Sequence, residues 1–273
     1  MKRYRNATRG EWVKIFTTRS WWVLALVMVL YVAFTAAVVA GSLAVSGNAM
    51  GGGVDLPFGG ARLVRMVYGL GPTVAYLFPV LLGALSVTSE YRHHTLGSTF
   101  VWNGSRSAVL GAKVSTQFLM GLLYGFLALA AAVLGGVFFF IQLGETTALG
   151  SGETWLMFLR ATLAMGLWGV VGVGIGVLVR NQAAAIVIVL VFTQFLEPVL
   201  RMVGALNETV ANITTYLPGA ASDALTGASF YTAVLGGGSY QSLTVWSGGL
   251  LLAGYAIALV SLGLLLRWRG DVS

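Results

Sequence analysis

Six stretches of this chain are apolar for long enough to dictate its architecture: residues 21–44, 67–88, 109–141, 155–179, 183–203 and 243–266. A hydrocarbon core about 30 Å thick is crossed by a helix of about 20 residues, and a helix is the one single-segment structure that satisfies its own backbone N–H and C=O groups where no water can. Only 9% of the residues are charged and 57% are apolar, whereas a soluble domain carries roughly 25% charged residues. The expected fold is therefore an all-α, polytopic membrane protein: one transmembrane domain over residues 1–273 with six spanning helices. The third run exceeds what a bilayer needs and is expected to tilt or project. Pro72 and Pro79 predict kinks in the second. Residues 204–243 are mixed in polarity, and no soluble domain or internal repeat stands out.

The polar remainder sets the orientation. Residues 1–20 hold Lys2, Arg3, Arg5, Arg9, Lys14 and Arg19 against the single acid Glu11. They lead into an apolar run of 24 residues, longer than the 7–15 or so of a cleavable signal, so a retained first span is expected. Within this leader Trp12, Ile15 and Phe16 share one helical face, which predicts a short helix lying in the headgroup layer, anchored by Trp21 and Trp22; a frayed basic tail is the alternative. Placing both termini, the stretch around Arg92 and the turn at Arg180 in the cytoplasm puts twelve of the sixteen Lys and Arg residues inside, with Glu11, Glu90 and Asp271. The other side holds Arg62, Arg65, Arg160 and Arg201 with six acids. This asymmetry fits an even number of spans in a cell membrane with both ends cytoplasmic. It also accounts for the net charge of +7 without nucleic acid, which would need a basic stripe on a soluble face.

Several chemistries are excluded by residue type or spacing. With no cysteine there is neither disulfide nor thiolate site. "GAKVS" lacks the order of a phosphate-binding loop. The only histidines, His93 and His94, are adjacent, whereas a helical zinc site needs them four apart. Ser247 in "WSGG" has no histidine at membrane depth to activate it. No catalytic residue, metal ligand or bound cofactor is expected, and any energy source must lie on another chain. Gly121 with Gly125 and Gly172 with Gly176 suit either close packing within the chain or a dimer interface. Glu197 and Arg201, four apart near the outer end of the fifth run, can pair on a continuous helix; an outward-reaching pair at the interface is expected, and Pro198 is placed to break that helix.

The longest polar interruption, "TSEYRHHTLGSTFVWNGSRSAVLGAK", follows the second run. Thr88 and Ser89 just ahead of Glu90 read as the start of a short surface helix. Its mixed charge suits docking into a partner's polar groove better than attraction to lipid; a solvated connector is the alternative. "SEYRHHT" followed by "SR" and "LGAK" resembles the junction between the second and third helices of type-two ABC exporter permeases, the ABC-2 type transporters. The basic, tryptophan-bearing leader, "VRNQAAAI" and "YLPGAA" add weaker likenesses along nearly the whole chain.

The resemblance implies a six-helix half-transporter that forms a homodimer, or a heterodimer with a related permease, each copy binding a separate cytoplasmic ATPase that carries the ATP and magnesium. It implies that Glu90, Tyr91, Arg92, His93, His94 and Thr95 form the coupling helix at that ATPase, with His94 standing where many relatives have glycine. It also implies short re-entrant outer helices within residues 204–243. The expected function is export of an apolar or amphipathic substrate. An ATP-independent secondary transporter or channel and a membrane scaffold or sensor are the alternatives.

Overall fold

The computed structural model describes residues 2–49, 60–103, 105–142, 144, 146–228 and 243–268. Among these every regular element is helical. Six helices are long and apolar enough to cross a membrane: Ser20–Leu43, Ala61–Arg92, Arg106–Gln142, Gly152–Val179, Gln182–Gly204 and Val245–Trp268. We call them spans one to six. They coincide with the six apolar runs, extended at several ends by polar turns that hydropathy cannot see. Span one belongs to α2 (Ser20–Ala49), preceded by the leader helix α1 (Lys2–Thr17).

Span two is built of α3 (Ala61–Ala75) and α4 (Leu77–Arg92), joined at Tyr76, midway between the two prolines. Each proline removes a donor and crowds the carbonyl four residues back, and the break falls where those effects meet. Tyr76 N–H still donates to Pro72 O at 3.2 Å. A short helix α5 (Leu96–Asn103) follows, then α6 (Arg106–Gln142) as span three and α7 (Gly152–Val179) as span four. Span five runs through α8 (Gln182–Val191), a π-helical turn (Phe192–Leu196) and α9 (Glu197–Leu206). Pro198 does not break it. The Glu197 N–H donates to Phe192 O, five residues back, and this wider turn accommodates a proline ring that would collide with an α-helical carbonyl. Short helices α10 (Glu208–Thr214) and α11 (Pro218–Thr226) precede α12 (Val245–Gly263), which ends span six in a second π-turn. Residues 204–228 thus hold two short helices; residues 229–242 lie outside the described part, as do 50–59 of the glycine-rich loop.

Span four packs on spans two, three and six and is the axis of the bundle. The apolar windows of spans two and four are 72% and 67% buried, against 22% for span five and 17% for span six. The outer spans thus turn most of their apolar surface away from the protein, as lipid-facing or partner-facing helices do. The close crossings depend on glycine. A Cβ on Gly121 would run into Met165 O of span four, and one on Gly172 into Val80 O of span two. On Gly125 it would meet Thr162 Cα at 2.9 Å, and on Gly176 Ala84 O at 2.7 Å. Both glycine pairs are spent on contacts within the chain.

Candidate functional site

At the end of the bundle that carries the leader, four charged side chains from three helices meet, three of them buried and the fourth, Lys14, reaching the surface. Lys113 stands two turns into span three with its side chain wholly enclosed. Its ammonium has three N–H groups and each finds an acceptor: Glu11 Oε2 at 2.7 Å, Glu90 Oε1 at 2.8 Å and Ser86 O at 3.0 Å. Lys14 donates to Glu11 Oε1 at 2.9 Å, Glu90 Oε1 at 2.6 Å and Thr99 Oγ1 at 3.4 Å. Two acids and two lysines give a neutral group, the condition under which buried charge is tolerable. Burial alone would push the Lys14 ammonium down, but the carboxylates of Glu11 and Glu90 outweigh it and hold the group above its usual 10.5.

This group decides how the leader sits. The buried stripe of α1 is Ala7, Glu11 and Ile15, at i, i+4 and i+8. The face expected from the sequence, Trp12, Ile15 and Phe16, is thus split: Ile15 turns inward, Trp12 is half-buried, and Phe16 is exposed and stacks on Trp12 at 5.5 Å. Glu11 takes the inward place that an apolar residue would otherwise hold because a buried lysine awaits it. Tyr4 adds a tie, its hydroxyl donating to Ser115 Oγ at 2.8 Å.

The stretch after span two also departs from expectation. Helix α4 continues through Arg92, with the Thr88 hydroxyl bonded to Ala84 O in mid-helix, so Glu90 occupies a last turn rather than a first one. It is buried, facing the leader and span three instead of solvent. The chain then reverses. Thr95 N–H donates to Glu90 O at 3.0 Å and His94 N–H to Tyr91 O at 3.3 Å, with His94 left-handed at φ 53°. These two bonds make a Schellman stop, whose left-handed position glycine fills at least cost. Arg92, His93, His94 and Thr95 are exposed and Tyr91 is half-buried.

Helix α5 is seated by Leu96, which is buried with Val87, Leu110, Val173, Val177 and Trp268. The Trp268 indole donates to Arg106 O at 2.7 Å and meets Phe100 edge-on at 5.3 Å. Arg180, left-handed at the end of span four, lies 5.3 Å over the Tyr91 ring and donates to Arg267 O. Arg92 reaches Gln182 Oε1 at 3.1 Å. Two open clefts flank the turn. One of about 540 Å³ lies between the leader and span two, with Glu90, Arg92 and His93 on its wall; one of about 640 Å³ lies between Tyr91, His94 and the Arg180–Gln182 turn.

A second charged group lies toward the opposite end. Arg201 donates to Glu197 Oε1 at 2.8 Å and to Asp223 Oδ2 at 2.7 Å. Both members of the expected pair turn into the protein, 1% and 3% exposed, rather than outward to the interface. Asp223 of α11 was not foreseen, because nothing in the local sequence marks a residue 22 positions away as the partner. Ser247 lies in the first turn of α12, its N–H donating to Thr244 Oγ1 at 3.3 Å. Among the described residues no group of three or more His, Asp or Glu side chains is placed to hold a metal ion.

Compared by sequence, the chain matches no protein-family model and no curated protein.

Proposed function

We propose that this chain is the permease subunit of an ATP-driven exporter of the ABC-2 type, with ATP and magnesium bound by a separate ATPase. The observation that carries the proposal is the wiring of Glu90. The exposed turn Arg92–Thr95 follows directly from a carboxylate that grips Lys14 of the leader and Lys113 of span three at once. A partner that pulls on the turn therefore moves spans two and three together with the leader. A partner can shift a conformational equilibrium only by binding its two states differently, and a polar, exposed turn on a buried charged pivot suits that task. Here Tyr91, Arg92, His93, His94 and Thr95 serve as the coupling surface, and Glu90 transmits motion from inside.

In this reading both termini and the turn are cytoplasmic. The leader lies at the membrane interface with Trp12 and Phe16 toward lipid, and α10 and α11 belong to a re-entrant outer segment. Two copies, or one copy with a related permease, pair to enclose the path of an apolar or amphipathic substrate through the cell membrane. The chain itself has no catalytic role and needs no nucleic acid.

The test is co-purification of the full-length chain with candidate ABC ATPase subunits, followed by substrate-stimulated hydrolysis in liposomes. Arg92→Ala with His93→Ala, both on the surface, is expected to lower association and stimulation while leaving thermal stability unchanged. Undiminished association together with undiminished stimulation refutes the proposal. A secondary transporter is the second reading, favoured by the buried Glu197–Arg201–Asp223 group, since such carriers place ionisable side chains at membrane depth. It predicts transport driven by an ion gradient without any ATPase.

A further inference from the structure

Two buried acids, Glu90 and Glu197, have an Oε2 without a hydrogen-bond partner; Glu90 accepts from two lysines, whereas Glu197 shares a single arginine with Asp223. The Glu197 side chain is 2% exposed. All of its observed hydrogen bonds fall on one oxygen: Oε1 accepts from Arg201 Nη2 at 2.8 Å and from the Ala220 N–H in the first turn of α11 at 3.1 Å. Oε2 is equally buried and has no hydrogen-bond partner. The arginine is shared, since Arg201 also donates to Asp223 Oδ2 at 2.7 Å, and Asp223 Oδ1 accepts from the Thr73 hydroxyl at 2.9 Å. Within this triad two carboxylates thus face one guanidinium.

Groups on the neighbouring helices are oriented elsewhere. The Tyr76 hydroxyl donates to Thr193 O at 3.1 Å, the Trp168 indole to Ser222 Oγ at 3.1 Å and the Tyr255 hydroxyl to Tyr216 O at 2.9 Å. Arg160 of span four lies beside Gly227, at the far end of α11 from Glu197 and half-exposed; Glu208 of α10 is exposed.

A fully buried carboxylate with one bare oxygen is among the costliest arrangements a membrane protein can hold, and a neutral carboxyl removes most of that cost. The protonated acid keeps every bond observed: Oε1 remains the acceptor and Oε2 carries the hydrogen. We propose that the Glu197–Arg201–Asp223 triad is a buried proton-binding site, with the proton on Glu197 Oε2 and the Arg201–Asp223 pair ionised. The proton controls a clamp. Gly219 lies so close that a Cβ would meet Arg201 Nη2 at 2.7 Å, so α11 is held against span five at the triad itself. Deprotonation takes the triad from neutral to singly negative inside the protein, an uncompensated buried charge that destabilises the packing of α11 on span five. The inference rests on the triad alone and stands apart from the exporter reading.

The experiment is infrared spectroscopy of the full-length protein in liposomes, reading the carbonyl stretch of a protonated carboxylic acid. At neutral pH the wild type is expected to show this band, and Glu197→Gln, which keeps the acceptor oxygen, to lose it. The thermal midpoint of the wild type is expected to fall as pH is raised from the ordinary carboxylate range toward the loss of the band and to level off beyond it, and that of Glu197→Gln not to follow. Should the glutamine variant fail to fold, Glu197→Asp is expected to shift the band frequency. Absence of the band in the wild type, a band that survives Glu197→Gln or is unmoved in Glu197→Asp, or a band that sodium removes at constant pH overturns the proposal.

Discussion

Replacing Lys113 with methionine removes one charge at nearly constant volume and tests whether the leader is held by the buried group. In the wild type the ammonium makes two ion pairs, at 2.7 and 2.8 Å, and one bond to Ser86 O. In Lys113→Met, Glu11 and Glu90 share only Lys14, whose side chain is 42% exposed, and the group goes from neutral to singly negative. Breaking a buried pair by removing one partner costs about 3–5 kcal/mol. Because Lys14 still reaches both acids, the low end, about 3 kcal/mol, is expected. The assay is reversible unfolding in mixed detergent micelles, run as a double-mutant cycle with Glu11→Gln. Residues in one charged network couple by about 0.5–3 kcal/mol, and the upper half of that range is expected here because the contact is direct and both side chains are buried. A single-variant loss below about 1 kcal/mol, the range of exposed pairs, or a coupling near zero would refute the claim that Lys113 anchors the leader.

Three further outcomes follow from particular positions. His94→Gly relieves a left-handed residue at no cost in observed side-chain bonds and is expected to raise stability by about 1 kcal/mol; a decrease in the unfolding midpoint would show that the imidazole contributes something else. Gly172→Val drives a side chain into Val80 O where spans two and four cross and is expected to cost at least about 1–3 kcal/mol by overpacking, read as a lower thermal midpoint. The leader's attachment has a definite pH sign: a lysine held above its ordinary value stabilises fully below that value and ceases to as pH climbs past its folded value. Proteolytic release of the leader should therefore be flat from neutral pH up to the ordinary lysine value of 10.5 and rise only above it. A rise beginning near neutrality would contradict the Lys14 contacts.

How much of this was legible beforehand depends on the range of the interaction. The apolar runs announced the spans, and Pro72 and Pro79 announced a disturbed second span, which takes the form of one break between them at Tyr76, because both effects act within a turn or two of chain. The leader face was misread for a definite reason. Periodicity sorts side chains by hydropathy and so groups Trp12, Ile15 and Phe16, whereas Glu11 is drawn inward by Lys113, 102 residues away. Glu90 was misread in the same way: Thr88 and Ser89 look like a helix cap, yet the helix was already running. The Glu197–Arg201 spacing was readable on one helix, whereas its direction was not, since Asp223 arrives from a separate one.

By itself, then, the order of residues determined the class of fold and the number and approximate limits of the spans, since in hydrocarbon every backbone polar group must find its partner within the same helix. The tertiary structure alone decided which charged side chains are buried and with whom. A charge entering a low-dielectric interior is tolerated only beside its counter-charge, and for Lys113 and Asp223 that counter-charge is brought by a helix distant in the chain.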